Sequence, residues 1–111
     1  MEIAEEYDMS ICVDTGHILA GYSGEIGVEE ALIKSSRRLR EIHLHDAYKR
    51  VENDRITVRD HLPLGSGDLN VRSFLKTLKQ IEFSGHIILE LGLNDAKSSI
   101  ERLTSLGELA T

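Results

Sequence analysis

Three short apolar runs in this chain each end in a side chain that can bind a metal. Ile11-Cys12-Val13 leads into Asp14, Ile42 into His43, and Ile87-Ile88-Leu89 into Glu90. Further potential ligands stand close by: His17 three residues after Asp14, His45 and Asp46 just after His43, and Asp60-His61 in the long segment that follows. Carboxylate oxygen together with imidazole nitrogen suits Zn, Mn, Co or Fe, whereas an all-oxygen set would point to Mg or Ca. A divalent ion held this way can polarise a carbonyl or lower the pKa of bound water.

The elements that must position these residues follow a strand-then-helix rhythm. A first strand is expected from Met9 to Val13, and Val28, Ala31, Leu32, Ser35 and Leu39 mark one face of the helix after it. A second strand covers Glu41 to His45. The stretch up to Asn70 reads as a loop, and Asn70 is placed to cap a helix that buries Val71, Phe74, Leu75 and Leu78. The third strand is His86 to Leu91. A last helix is expected from about Asn94, with Ala96, Ile100 and Leu103 inward and Gly107 as its stop. Three βα units in succession imply a parallel sheet, and chemistry in such folds sits at the C-terminal ends of the strands.

The three units share no sequence repeat, and their number is a problem for stability. Three parallel strands leave two open edges and one bare face, so the chain reads as a piece of something larger. Its 111 residues suffice for one domain, 1–111. No apolar run approaches the roughly 18 residues of a membrane span. The acidic start, Met1-Glu2-Ile3-Ala4-Glu5-Glu6, does not resemble a signal peptide, so a soluble, cytoplasmic protein is expected. Cys12 is the only cysteine, which excludes an intrachain disulfide, and it is expected to pack within its strand.

A net charge of -6 argues against a broad electrostatic grip on nucleic acid. Lys34, Arg37, Arg38 and Arg40 fall where cations complement a helix C-terminus. Lys49, Arg50, Arg55 and Arg59 lie between His43 and His61, which makes them candidates for a local anion contact. Gly65-Ser66-Gly67 ahead of Asn70 has the form of a backbone phosphate cradle and equally of an ordinary turn. Asp14 before Thr15-Gly16 has a structural reading too, as a turn former. His43 and His45 alternate along a strand and therefore share a face. Glu90 closes an apolar run, so it must find a cation or donors as partners. His86 opens its strand at the end away from the chemistry.

Asp14-Thr15-Gly16-His17, Ile42-His43-Leu44-His45-Asp46, Asp60-His61-Leu62-Pro63-Leu64-Gly65-Ser66-Gly67 and Ile88-Leu89-Glu90-Leu91 stand in the order and spacing of the xylose isomerase-like TIM barrels. The chain resembles strands six to eight of such a barrel, a partial (β/α)8 fold. The resemblance implies that Asp14 and His17 are metal ligands after strand six, His43 after strand seven, His61 from the following loop, and Glu90 at strand eight, where it can also be acid/base. An alignment with the epimerases of the family favours His45 over His43. In the nuclease branch an aspartate stands two residues before the loop histidine, and here that position is Arg59. The expected activity is that of a metal-dependent sugar or sugar phosphate isomerase/epimerase. One alternative is an endonuclease IV-like zinc-dependent apurinic-site phosphodiesterase, with Asp14, His43 and Glu90 on one zinc and His17 with His61 on another. A second is a non-catalytic half-barrel that binds metal or a partner chain. The strand-five glutamate and the early histidines of the family are not in this chain, so a homo-oligomer or the missing N-terminal half-barrel is expected to complete the site.

Overall fold

A computed structural model describes residues 9–21, 24 and 26–110. The elements are β1 (Ile11–Asp14), α1 (Thr15–Leu19), α2 (Val28–Ser35), β2 (Leu39–Leu44), β3 (Asp46–Glu52), β4 (Arg55–Leu62), α3 (Val71–Gln80), β5 (His86–Leu89) and α4 (Leu93–Ala110). The apolar runs form a parallel sheet in the order β1-β2-β5. Val13 pairs with Ile42 and Ile42 with Ile87, while Asp14 pairs with His43 and His43 with Ile88.

Alternation divides the sheet into two unlike faces. Val13, Leu39, Ile42 and Leu44 point to the helices and join Val28, Leu32, Val71 and Phe74 in the core. Cys12, Glu41, His43, His86 and Ile88 point the other way, where Cys12 and His86 are exposed and Ile88 is 42% exposed. Cys12 therefore lies in its strand as expected but is not packed there. β1 and β5 each have one strand neighbour among the described residues, so both outer edges are open.

The second helix is shorter than its apolar spacing predicts. It ends at Ser35, whose hydroxyl bonds back to Ala31 O at 2.7 Å, and the chain turns through Arg38 N–H to Ser35 O at 2.9 Å. Leu39 then opens β2, buried on the core face although it is not helical. Lys34 lies in the last helical turn, while Arg40 is already in the strand. Asn70 caps α3 as expected, its side chain accepting Ser73 N–H at 3.0 Å. The inward face of α4 also differs, because Ile100 is 52% exposed and Ser99 is buried instead. Ser99 Oγ accepts Leu64 N–H at 3.0 Å, which docks α4 on the segment before α3. This helix continues through Gly107 to Ala110. Among the described residues, no helix is long and apolar enough to cross a membrane.

The segment read as a loop is an antiparallel hairpin, β3-β4. Its turn, Asn53-Asp54, has φ of 49° and 64°. Two central residues with positive φ match the twist of a two-residue hairpin, and Asn and Asp tolerate that conformation best after Gly.

Asp46 is not a ligand reaching into open space but a buried organiser. Its Oδ1 accepts Ala47 N–H at 2.8 Å and Leu69 N–H at 2.9 Å, and its Oδ2 accepts Gly65 N–H at 2.9 Å and Gly67 N–H at 3.0 Å. The Gly65-Ser66-Gly67 backbone thus cradles an anion that belongs to the protein, which corrects the phosphate reading. A Cβ on Gly67 would sit 2.5 Å from both Ala47 O and Asp46 Oδ1. Asp46→Ala leaves four N–H groups without their acceptor and is expected to cost at least about 3 kcal/mol. Urea unfolding measures this. Asp46→Asn should also destabilise, since its amide turns one acceptor into a donor facing N–H groups.

Candidate metal centre

Each of the strands β1, β2 and β5 delivers a side chain to the same end of the sheet. Asp14, His43 and Glu90 offer ligand atoms that all lie within 4.8 Å of one another, and His45, His61 and Glu90 form an overlapping group. Glu90 joins the two. Its Oε1 is 2.7 Å from His43 Nδ1 and its Oε2 is 3.4 Å from His61 Nε2, so its partners are imidazoles. Leu44 O accepts Glu90 N–H at 3.1 Å and fixes this residue beside the end of β2.

His43 stands between two carboxylates, with Nε2 2.9 Å from Glu41 Oε2 on the side away from Glu90. The hydrogen bond to Glu41, with the charges of Glu90, Glu41 and Asp14, raises its pKa above the ordinary histidine value against a smaller desolvation effect. His61 is also raised, chiefly through its Nδ1 contact with Asp60 at 3.0 Å, and that contact lowers Asp60 in turn. The carboxylates that raise these two histidines would also attract a cation.

His45 does a different job. It is 1% exposed, its Nδ1 accepts the backbone N–H of His61 at 2.8 Å, and its Nε2 is 2.8 Å from Asp14 Oδ1. A neutral ring whose Nδ1 accepts must carry its proton on Nε2, so it donates to Asp14. A nitrogen that keeps its proton in this way has no lone pair for a cation. Of the two histidines, His45 orients Asp14, while His43 lies between Glu41 and Glu90. Asp14 Oδ1 also accepts His17 N–H at 2.9 Å as the N-cap of α1, which is the turn-forming reading of this residue. His17 is at the exposed rim, its Nδ1 3.8 Å from Asp14 Oδ2. It does not enter the three-ligand groups found among the described residues.

Thr15, Gly16, Glu41 and the backbone of His61 are parts of the site that were not singled out from the sequence. Thr15 Oγ1 donates to His45 O at 2.8 Å and accepts His45 N–H at 3.1 Å, clamping the end of β2 to the start of α1. Gly16 lets the imidazole of His45 lie against the backbone, since a Cβ there would come 1.9 Å from His45 Cε1. His61 has φ of 53°, a conformation uncommon outside Gly. That backbone aims its N–H at His45 and stacks the two rings with centroids 4.2 Å apart. Arg50, in the basic set, is committed to Asp68 through two contacts of 2.7 and 2.8 Å and lies over the Tyr48 ring.

A parallel sheet with helices on one face, and polar side chains gathered at its C-terminal end, is the arrangement of an α/β barrel segment. The chain belongs to the xylose isomerase-like TIM barrel family, whose model matches residues 1–106. That family includes sugar isomerases and epimerases as well as endonuclease IV. An uncharacterized protein of Methanocaldococcus jannaschii is 30% identical in an alignment 101 positions long that covers 81% of this chain and 36% of that protein. The crystal structure of a xylose isomerase domain protein from Planctomyces limnophilus superposes with a TM-score of 0.75 at 28% identity, covering 95% of this chain and 41% of that one. The chain thus spans well under half the length of either relative.

Gly16→Ala should push His45 off Asp14 and destabilise the fold by about 1–3 kcal/mol, read from urea unfolding. The histidines add a dependence on pH. A pKa raised in the folded state gives stability that is complete below the unfolded value of about 6.5 and is lost as pH rises through the folded value. In EDTA, the Tm difference between the parent chain and His43→Gln should therefore shrink as pH rises above about 6.5. Protection by added zinc should have the opposite slope, because ligands bind metal only when deprotonated.

Proposed function

We propose that this chain supplies strands six to eight, the C-terminal part, of a (β/α)8 barrel with metal-dependent sugar or sugar phosphate isomerase/epimerase activity. The supporting observation is the convergence of Asp14, His43 and Glu90 from three neighbouring strands at one sheet end. The donor set, two carboxylates and an imidazole, fits a divalent ion of the Zn, Mn or Co type. His17 and His61 extend the set from the rim and from the hairpin. When bound, such an ion polarises a substrate carbonyl and its neighbouring hydroxyl.

The chain's own residues divide the remaining work. His45 and Thr15 hold Asp14 and the end of β2 in place, and Glu41 holds the far nitrogen of His43. Glu90 removes and returns the carbon-bound proton of the substrate, opposite a second carboxylate from a strand outside this sequence. That strand and the others that close the barrel come from a partner chain, from a second copy, or from the longer protein of which this is part. The sugar reading is favoured over phosphodiester cleavage by the net charge of -6, by Arg59 where the nuclease branch has an aspartate, and by Arg50 being neutralised by Asp68.

Metal content of the purified, untagged chain by mass spectrometry tests the ligand set. Near-stoichiometric Zn, Mn or Co, lost in both His43→Ala and Glu90→Ala, is the expected result. The absence of bound metal after dialysis against each ion would overturn a self-sufficient site. Ketose-aldose interconversion and epimerisation assays, with an apurinic-site duplex as comparison, then separate the two chemistries.

A further inference from the structure

A second convergence of ligand atoms lies one layer below the first, on the uncovered face of the sheet. Cys12 Sγ, a Glu41 carboxylate oxygen and a His43 ring nitrogen lie within 4.8 Å of one another. Register produces the cluster: Cys12 pairs with Glu41 and Asp14 with His43, so thiol and carboxylate stand side by side with the imidazole two residues above Glu41. A thiol and an imidazole converge on one carboxylate here, with His43 Nε2 2.9 Å from Glu41 Oε2. A divalent cation among them would have sulfur, oxygen and nitrogen ligands.

We propose that Cys12, Glu41 and His43 form a second divalent-metal site, selective for zinc-like ions over Mg and Ca because it contains a thiolate. Three protein ligands leave a fourth position open, and Cys12 is exposed, so an ion can enter from the uncovered face. The site shares only His43 with the Asp14–Glu90 set. It uses the opposite nitrogen, since Nδ1 faces Glu90 and Nε2 faces Glu41. The proposal does not depend on the isomerase reading, because it concerns binding alone.

Cobalt titration of the reduced, purified chain, followed by absorption, provides the test. Cys12 is the only cysteine, so a thiolate-to-cobalt charge-transfer band in the near ultraviolet can arise only from it. The expected band appears at saturating cobalt and is abolished in Cys12→Ser. In Glu41→Gln it needs at least about tenfold more cobalt, the smaller of the losses seen even for residues that only support a ligand. Glu90→Ala, which removes a ligand of the upper set alone, retains it. Circular dichroism confirms that each variant is folded. No band in the parent chain overturns the site. A band unchanged in Glu41→Gln overturns it in favour of an ion shared between the thiols of two chains, and a band lost in folded Glu90→Ala shows instead a thiol belonging to the upper set.

Discussion

A carboxylate and an imidazole buried side by side at the end of β2 impose most of the local architecture. Asp46 is 0% exposed and His45 is 1% exposed, and neither could remain there without partners. The partners come from four directions. The segment before α3 folds back so that Gly65, Gly67 and Leu69 give Asp46 their N–H groups. The hairpin ends in a positive-φ histidine so that His61 N–H reaches His45, and α1 begins where Thr15 and Asp14 can take the rest of that residue's polar atoms. A satisfied network of this kind is rigid, because losing any member leaves a buried group unpaired.

That rigidity sets the geometry of the outer residues. Asp14 is held by the His45 donor, His43 by Glu41 and Glu90, and His61 by Asp60 and by stacking on His45. The inner groups are saturated with hydrogen bonds, while His43, Glu90 and Asp14 retain exposed side-chain surface at the sheet end. Structure and chemistry are thus divided between adjacent residues: Asp46 and His45 hold the frame, and His43 and Glu90 face the open side.

Much of this was legible in the sequence, for a physical reason. Buried parallel strands need continuous apolar runs, so Ile11-Cys12-Val13 and Ile87-Ile88-Leu89 declare themselves, and the period of the helices is equally plain at Val28 to Ser35 and Val71 to Leu78. The hairpin is hard to read from sequence because its strands are largely polar and exposed, with Lys49, Arg50 and Glu52 on one and Arg55 and Arg59 on the other. Its local signal was the Asn53-Asp54 pair between segments of alternating pattern. The spacing of Leu39 suits either helix or strand, and only the turn after Ser35 decides between them. Asp46 and the glycine pair were ambiguous for another reason. An N–H cradle has the same sequence whether its anion is a ligand or the protein's own carboxylate, and nothing local says that residue 46 folds onto residues 65 to 69.

The two faces of the sheet also constrain what completes it. A layer of apolar helices cannot cover the second face, because Cys12, Glu41, His43 and Glu90 would then be buried without water and with their charges uncompensated. Ile88 is the apolar member of that face, and it pairs in register with His43 and not with another aliphatic residue. A complement must bring donors or cations to meet the acids and must also add backbone partners along β1 and β5. Further strands lining a polar interior meet both demands at once, since each contributes a hydrogen-bonding edge and an inward side chain at every second position. The chemistry of the uncovered face thus suits contact with another polar sheet face better than cover by a layer of apolar helices.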